Sequence, residues 1–180
     1  MEKNGLWVPP QRDILPLQGF YNVRFTHRRT GRLIKKIVGR NLIVNSGKAL
    51  LGDMLIDRSG YDTGLTVCAI GTDNTEPNDN DTTLGTEAAR KAITTRVRVG
   101  LSVQLTTYLA YSECSYAIEE AGIFGHSTAQ AGTPDSGELF SRWLLSFDNS
   151  GGEADMTIDY MLPVSGGSTK EMIEMFFSHN

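Results

Sequence analysis

From Ser102 to Ser112 the side chains alternate in character with a period of two. Val103, Leu105, Thr107, Leu109 and Tyr111 fall on one side, and Gln104, Thr106, Tyr108 and Ala110 on the other. That period suits a strand with one face buried and excludes a helix, whose apolar stripe repeats every 3.6 residues. The pattern recurs along the chain. Tyr21, Val23 and Phe25 oppose Asn22, Arg24 and Thr26, and a partner strand follows from Arg32 to Val38, beyond a turn at Gly31. Met156, Ile158, Tyr160 and Leu162 oppose Thr157, Asp159 and Met161. Leu65 to Ile70 reads as a buried strand, and Tyr116 to Phe124 and Leu139 to Phe147 as two more. Lys91 to Val99 reads as one strand with Arg96 and Arg98 outward and Val97 and Val99 inward. About eight strands predict a mainly β protein: a two-sheet antiparallel β-sandwich, jelly-roll-like, with one internal helix and a short C-terminal helix.

The internal helix is expected after the apolar run Asn41–Val44, with Asn45 or Ser46 as its cap. Leu50, Leu51, Met54 and Leu55 would share its buried face, through about Asp57. At 180 residues the chain is long enough for one domain with a substantial core. The expected division is an N-terminal extended arm over 1–18, the sandwich over 19–165, and an amphipathic helix or tail over 166–180.

Both ends carry apolar side chains on segments too short to bury them alone. Pro9, Pro10 and Pro16 forbid a regular helix or central strand, yet Leu6, Trp7, Val8, Ile14 and Leu15 are too apolar for a free tail. Such a tail lies either on its own domain or on a neighbour. At the other end Ser168 to Glu171 fits a capping box, and Met172, Ile173, Met175, Phe176 and Phe177 follow. That helix either packs back on the sandwich or enters a groove on a neighbouring protomer. The candidate protein–protein contacts are therefore Leu6, Trp7, Val8, Ile14, Leu15, Met172, Met175, Phe176 and Phe177.

Charge is unevenly distributed. Residues 1–60 hold 11 of the 17 Lys and Arg but 4 of the 21 Asp and Glu, so the net −4 joins a basic first third to an acidic remainder. The basic residues lack the aromatic interleaving of single-strand binders, so no nucleic-acid partner is expected. They solvate a sheet edge, or form a docking face for an acidic neighbour. No run of about 20 apolar residues predicts a membrane span. The start lacks the basic and apolar regions of a signal peptide, so the product is expected to stay in the compartment where it is made, the cytoplasm, or to leave by lysis. Cys68 and Cys114 are expected as buried thiols, since two cysteines without a CxxC do not make a zinc site.

Catalytic chemistry is not expected. Glu119 and Glu120 are adjacent, so a strand sends them to opposite faces. His27, His126 and His179 have no nucleophile motif beside them. The acidic loop Asp73–Asp81 lacks the Gly and Glu positions of an EF-hand and reads as a turn-rich structural loop. Gly47-Lys48 lacks the glycine spacing of a phosphate loop. No cofactor or metal is expected. Gly71 is read as the bend into the loop, and Gly122 as a bulge or a close backbone approach. Glu87 and Arg90 could pair if they share a helical turn, as an exposed and weak contact.

Several phrases, in order, carry a resemblance. These are Gly19-Phe20-Tyr21, Asn41-Leu42-Ile43-Val44-Asn45-Ser46-Gly47, and Ala69-Ile70-Gly71-Thr72 with Pro77. Leu84, Glu87 and Arg90 follow, then Ile118-Glu119-Glu120-Ala121-Gly122-Ile123-Phe124 and Glu138-Leu139-Phe140-Ser141-Arg142. Over residues 19–162 the chain resembles the small β-sandwich structural proteins of tailed bacteriophages, of tail-fibre-like, baseplate-associated or head-decorating type. The resemblance implies a multi-copy virion component without cofactors and leaves its position on the particle open; the first reading is a non-enzymatic adaptor at the tail or fibre attachment. Its partners would be tail, portal, neck or capsid subunits and further copies of itself, a trimer being favoured. The alternative is a decoration or cement protein of the head. A carbohydrate- or receptor-binding module is a third reading, resting on Tyr61 and Phe124 as exposed aromatics.

Overall fold

The computed structural model describes residues 17–164 together with Glu174, Phe176 and Ser178. Among the described residues ten strands form two antiparallel sheets. One sheet, A, contains β1 (Phe20–His27), β2 (Leu33–Arg40), β6 (Thr95–Val99), β7 (Ser102–Leu109) and β10 (Ala154–Pro163), in the order β2-β1-β10-β7-β6. The other, B, contains β3 (Leu42–Ile43), β4 (Leu65–Gly71), β5 (Glu87–Ala92), β8 (Ala117–Gly125) and β9 (Glu138–Asp148), in the order β3-β9-β8-β4-β5. The arrangement is sandwich-like. Hairpins stay within a sheet, and the chain crosses between sheets after β2, β5, β7 and β9.

The inner faces meet as the alternation requires. Tyr21, Val23, Phe25, Leu105, Leu109, Met156, Ile158 and Tyr160 from sheet A pack with Cys68, Ile70, Ala121, Ile123, Trp143 and Leu145 from sheet B. Tyr21 stacks on Trp143 at 5.2 Å, and Phe25 on Phe147 at 3.9 Å between ring centroids. Such pairs add about 0.5–1.5 kcal/mol beyond simple burial. Sheet B has a second, outer core in which Val67, Ala69 and Phe124 meet Val44, Leu84 and Leu139. Burial on both faces explains why β4 reads as a continuous apolar run.

Three expectations need correction. The segment Lys91–Val99 is not one strand: β5 belongs to sheet B and β6 to sheet A, with the crossing at Ile93-Thr94. The expected orientation in β6 is also reversed. Arg96 pairs with Leu105 and Arg98 with Val103, on the core side, while Val97 and Val99 lie on the outer face beside Gln104 and Ser102. Tyr111 does not continue the β7 alternation, because the chain turns into a 3-10 helix at Tyr111–Glu113.

Helix α1 (Asn45–Leu55) forms where the spacing predicts, but its cap residue is Val44, with no side-chain cap. Instead the Asp79 carbonyl accepts from the Asn45 amide at 2.7 Å, and Ser46 Oγ donates to the Leu139 carbonyl. Tertiary contacts thus satisfy groups that a cap would. Leu50 is buried, while Leu55 points to solvent rather than into the core. A Cβ on Gly47 would collide with the Phe140 carbonyl, so glycine sets how closely α1 lies on β9.

Cys68 and Cys114 are buried free thiols. Burial pushes Cys68 up to about 12 and Cys114 up to about 11, so almost no thiolate forms near neutrality. An Ellman titration at pH 8 should find both silent in the folded protein, and both reactive once denaturant is added.

Candidate interaction surface

The strongest charge cluster in the described structure does architectural work. Glu120 is fully buried on the outer face of β8, and Arg142, on β9, is its diagonal neighbour because Gly122 stands opposite Arg142. Arg142 Nε donates to Glu120 Oε2 at 2.7 Å, its Nη1 to Asp81 at 2.8 Å, and its Nη2 to the Thr75 carbonyl at 3.0 Å. Glu120 also accepts from the Gly85 and Thr86 amides at 3.0 and 2.8 Å. The two side chains fasten both ends of loop 72–86 to sheet B, which seats Leu84 in the outer core. Lys48 pairs with Asp79 at 2.8 Å and ties the middle of the loop to α1. The carboxylates of Asp73, Asp81 and Glu120 therefore surround a guanidinium.

Glycines fit this clamp. Gly71 does not serve as a hinge of positive φ; a Cβ there would strike the Glu120 carboxylate and the Thr86 carbonyl. At Gly122 a Cβ would come within 2.9–3.0 Å of Leu84, Leu139 and the Ser141 carbonyl, the close approach expected. Glu87 and Arg90 do pair, at 2.6 Å, but in a strand and almost wholly buried. Three residues apart on a regular strand they would point opposite ways. The register slips between Ile70 and Gly71, leaving Ala88 as an extra residue, and this bulge turns both to one side. Arg90 also donates to the Ser136 and Gln130 carbonyls and lies 4.8 Å over the Phe124 ring.

Apolar side chains reach solvent at the end of α1, at Leu55 and Ile56, and along sheet A. Leu33, Ile34 and Val38 on β2, Val97 and Val99 on β6, and Tyr108 on β7 are all exposed, as are Leu101 and Val164 beside them. Both edge strands turn cations inward, over the rim of the core. Lys35 Nζ donates to the Ser146 carbonyl at 2.8 Å, and Arg96 donates to the Thr63 carbonyl at 2.8 Å. Inward-pointing charges on edge strands oppose uncontrolled sheet-to-sheet pairing.

Of the residues singled out from the sequence as protein contacts, Phe176 is described. It is buried against Phe20 and Met161 on the outer face of sheet A, so in the single chain it packs on its own body. Leu6, Trp7, Val8, Ile14, Leu15, Met172, Met175 and Phe177 lie outside the described residues. Phe124 is buried, not exposed, and Tyr61 donates its hydroxyl to Glu138 at 2.8 Å, so neither offers the open aromatic face expected of a sugar platform. Glu119 and Glu120 do diverge: the first bonds Ser146. The Glu120–Arg142 pair was missed, although an arginine alone within the apolar run of β9 and an acid on each face of β8 signalled it. No helix among the described residues is long and apolar enough to cross a membrane. No family model, curated protein or solved structure matches the chain.

Replacing Glu120 by Gln removes the most buried of the carboxylates around Arg142 and leaves it Asp81 and Asp73, so it should destabilise the fold by about 2–3 kcal/mol in denaturant titration. Asp73 is held below its ordinary value of 3.8, first by the hydrogen bonds from Thr75. A lowered carboxylate stabilises at neutral pH, and the contribution fades as the pH falls through the folded value. Amide protection in loop 72–86, corrected for the intrinsic exchange rate, should therefore fall below about pH 4 before that of the sheets does.

Proposed function

We propose that this chain is a non-enzymatic structural component of a tailed-bacteriophage virion, acting as an adaptor at the tail or fibre attachment through protein–protein contacts. The observation that carries the contact role is the exposed apolar surface of sheet A, on β2, β6 and β7. Apolar side chains left exposed at sheet edges in this way are surface that a protein partner can cover. The ordered phrases of the sequence supply the virion setting. A jelly-roll-like body belongs to the same reading, supported by the pairing of β1 with β10 inside sheet A.

The buried charges suit such a role. Glu120, Arg142, Glu87 and Arg90 are paired with one another and with backbone groups that hold loops in place. In this reading the protein is present in several copies as a closed oligomer, a trimer being favoured, and needs no cofactor. Its neighbours are other virion proteins.

Immunogold labelling of intact particles tests the assignment. Label at the tail or its fibre junction is the expected result. Label over the head shell would shift the role to decoration, and particles free of the protein would overturn the reading.

A further inference from the structure

We infer that β6 is an acceptor edge for an extended segment of a partner protein in which acidic and apolar residues alternate. The inference rests on the contact role above and names the chemistry of the partner. β6 pairs with β7 on one side, and its other side is an edge of sheet A that no strand among the described residues pairs. All five residues are exposed. The strand is straight in register with β7, and a two-residue turn at Gly100-Leu101, with Gly100 at φ +57°, holds it there. The opposite edge, β2, is interrupted by a register shift at Phe25/Thr26, which twists an edge away from a flat partner.

The two faces of β6 specify different neighbours. On the outer face Val97 and Val99 are 45% and 49% exposed, continued by Leu101 and Val164, whose backbones are joined at 2.9 Å. On the core side stand Arg96 and Arg98. Their guanidinium bonds go to carbonyls: Arg96 to Thr63 and Leu65, and Arg98 to Gly100. Neither has a carboxylate partner among the described residues. A strand added to this edge places its alternate side chains beside the valines and the remainder beside the arginines. Apolar residues in the first set and Asp or Glu in the second complete both rows.

A second copy of β6 does not meet that requirement. Laid alongside in a continued sheet, it would bring two more arginines to the same face, and like charges across strands repel. The β2 edge of another copy carries Lys35 and Lys36 and fares no better. Charge thus turns the edge away from its own kind and toward an acidic strand from elsewhere.

The test uses the full chain and a fluorescein-labelled peptide of four Glu-Val repeats, followed by anisotropy at low salt. Saturable binding is expected, and it should weaken with added salt. An R96E/R98E variant with an unchanged melting temperature should bind about tenfold more weakly or worse. A peptide N-methylated at alternate residues, so that one edge cannot donate to a ladder, should also lose binding. No binding, equal binding of a Lys-Val peptide, or full binding of the methylated peptide would overturn the inference. A protein that labels the tail yet ignores the peptide refutes the edge and spares the adaptor role. One that binds the peptide yet is absent from particles does the reverse.

Discussion

The buried contact between Glu120 and Arg142 is the constraint on which the outer half of this molecule is built. Taking two opposite charges out of water is expensive, and their attraction repays it only when every remaining lone pair and N–H finds a partner. Here the partners come from loop 72–86: amides at Gly85 and Thr86, the Thr75 carbonyl and the Asp81 carboxylate. Satisfying the pair and folding the loop are therefore one event. Once seated, the loop covers the outer face of sheet B and also supplies the carbonyl that receives the first turn of α1. The central strands of sheet B, β4 and β8, end up largely buried on both sides, while much of sheet A's rim stays wet.

That difference explains what could be read from the sequence. In β1, β7 and β10 one side faces the core, so the period of two is plain, and the inward sets Tyr21–Val23–Phe25 and Met156–Ile158–Tyr160 are where the pattern puts them. In β4 both sides are covered and the alternation vanishes, leaving composition alone. The β5–β6 segment misled for another reason. Its Arg and Val alternate, but an edge strand overhanging the rim lets a long cationic side chain take the inward row, with its charge delivered to the Thr63 and Leu65 carbonyls at the start of β4. Hydrophobicity alone cannot tell that row from the solvent row.

The interaction surface was less legible than the fold. The apolar termini stand out because prolines and short length leave their side chains without local cover. The rim of sheet A does not stand out, because its valines look like ordinary strand residues until the topology makes their strands edges. Likewise Glu120 and Arg142 lie 22 positions apart, and the two register shifts between β8 and β9 hide their diagonal pairing from residue counting. The bulge that unites Glu87 with Arg90 depends on a single extra residue opposite Gly71, which no periodicity announces.

The pairing of β1 with β10, Phe20 beside Met161, has a geometric corollary. The chain enters the body and leaves it through neighbouring strands at one pole of sheet A, with Asn41 and Gly19 hydrogen-bonded at the same end. The first residue of β1 and the last of β10 thus stand at a common side of the body. A short linker across that gap would relocate the chain ends without reordering any sheet, which makes the molecule a natural host for circular permutation.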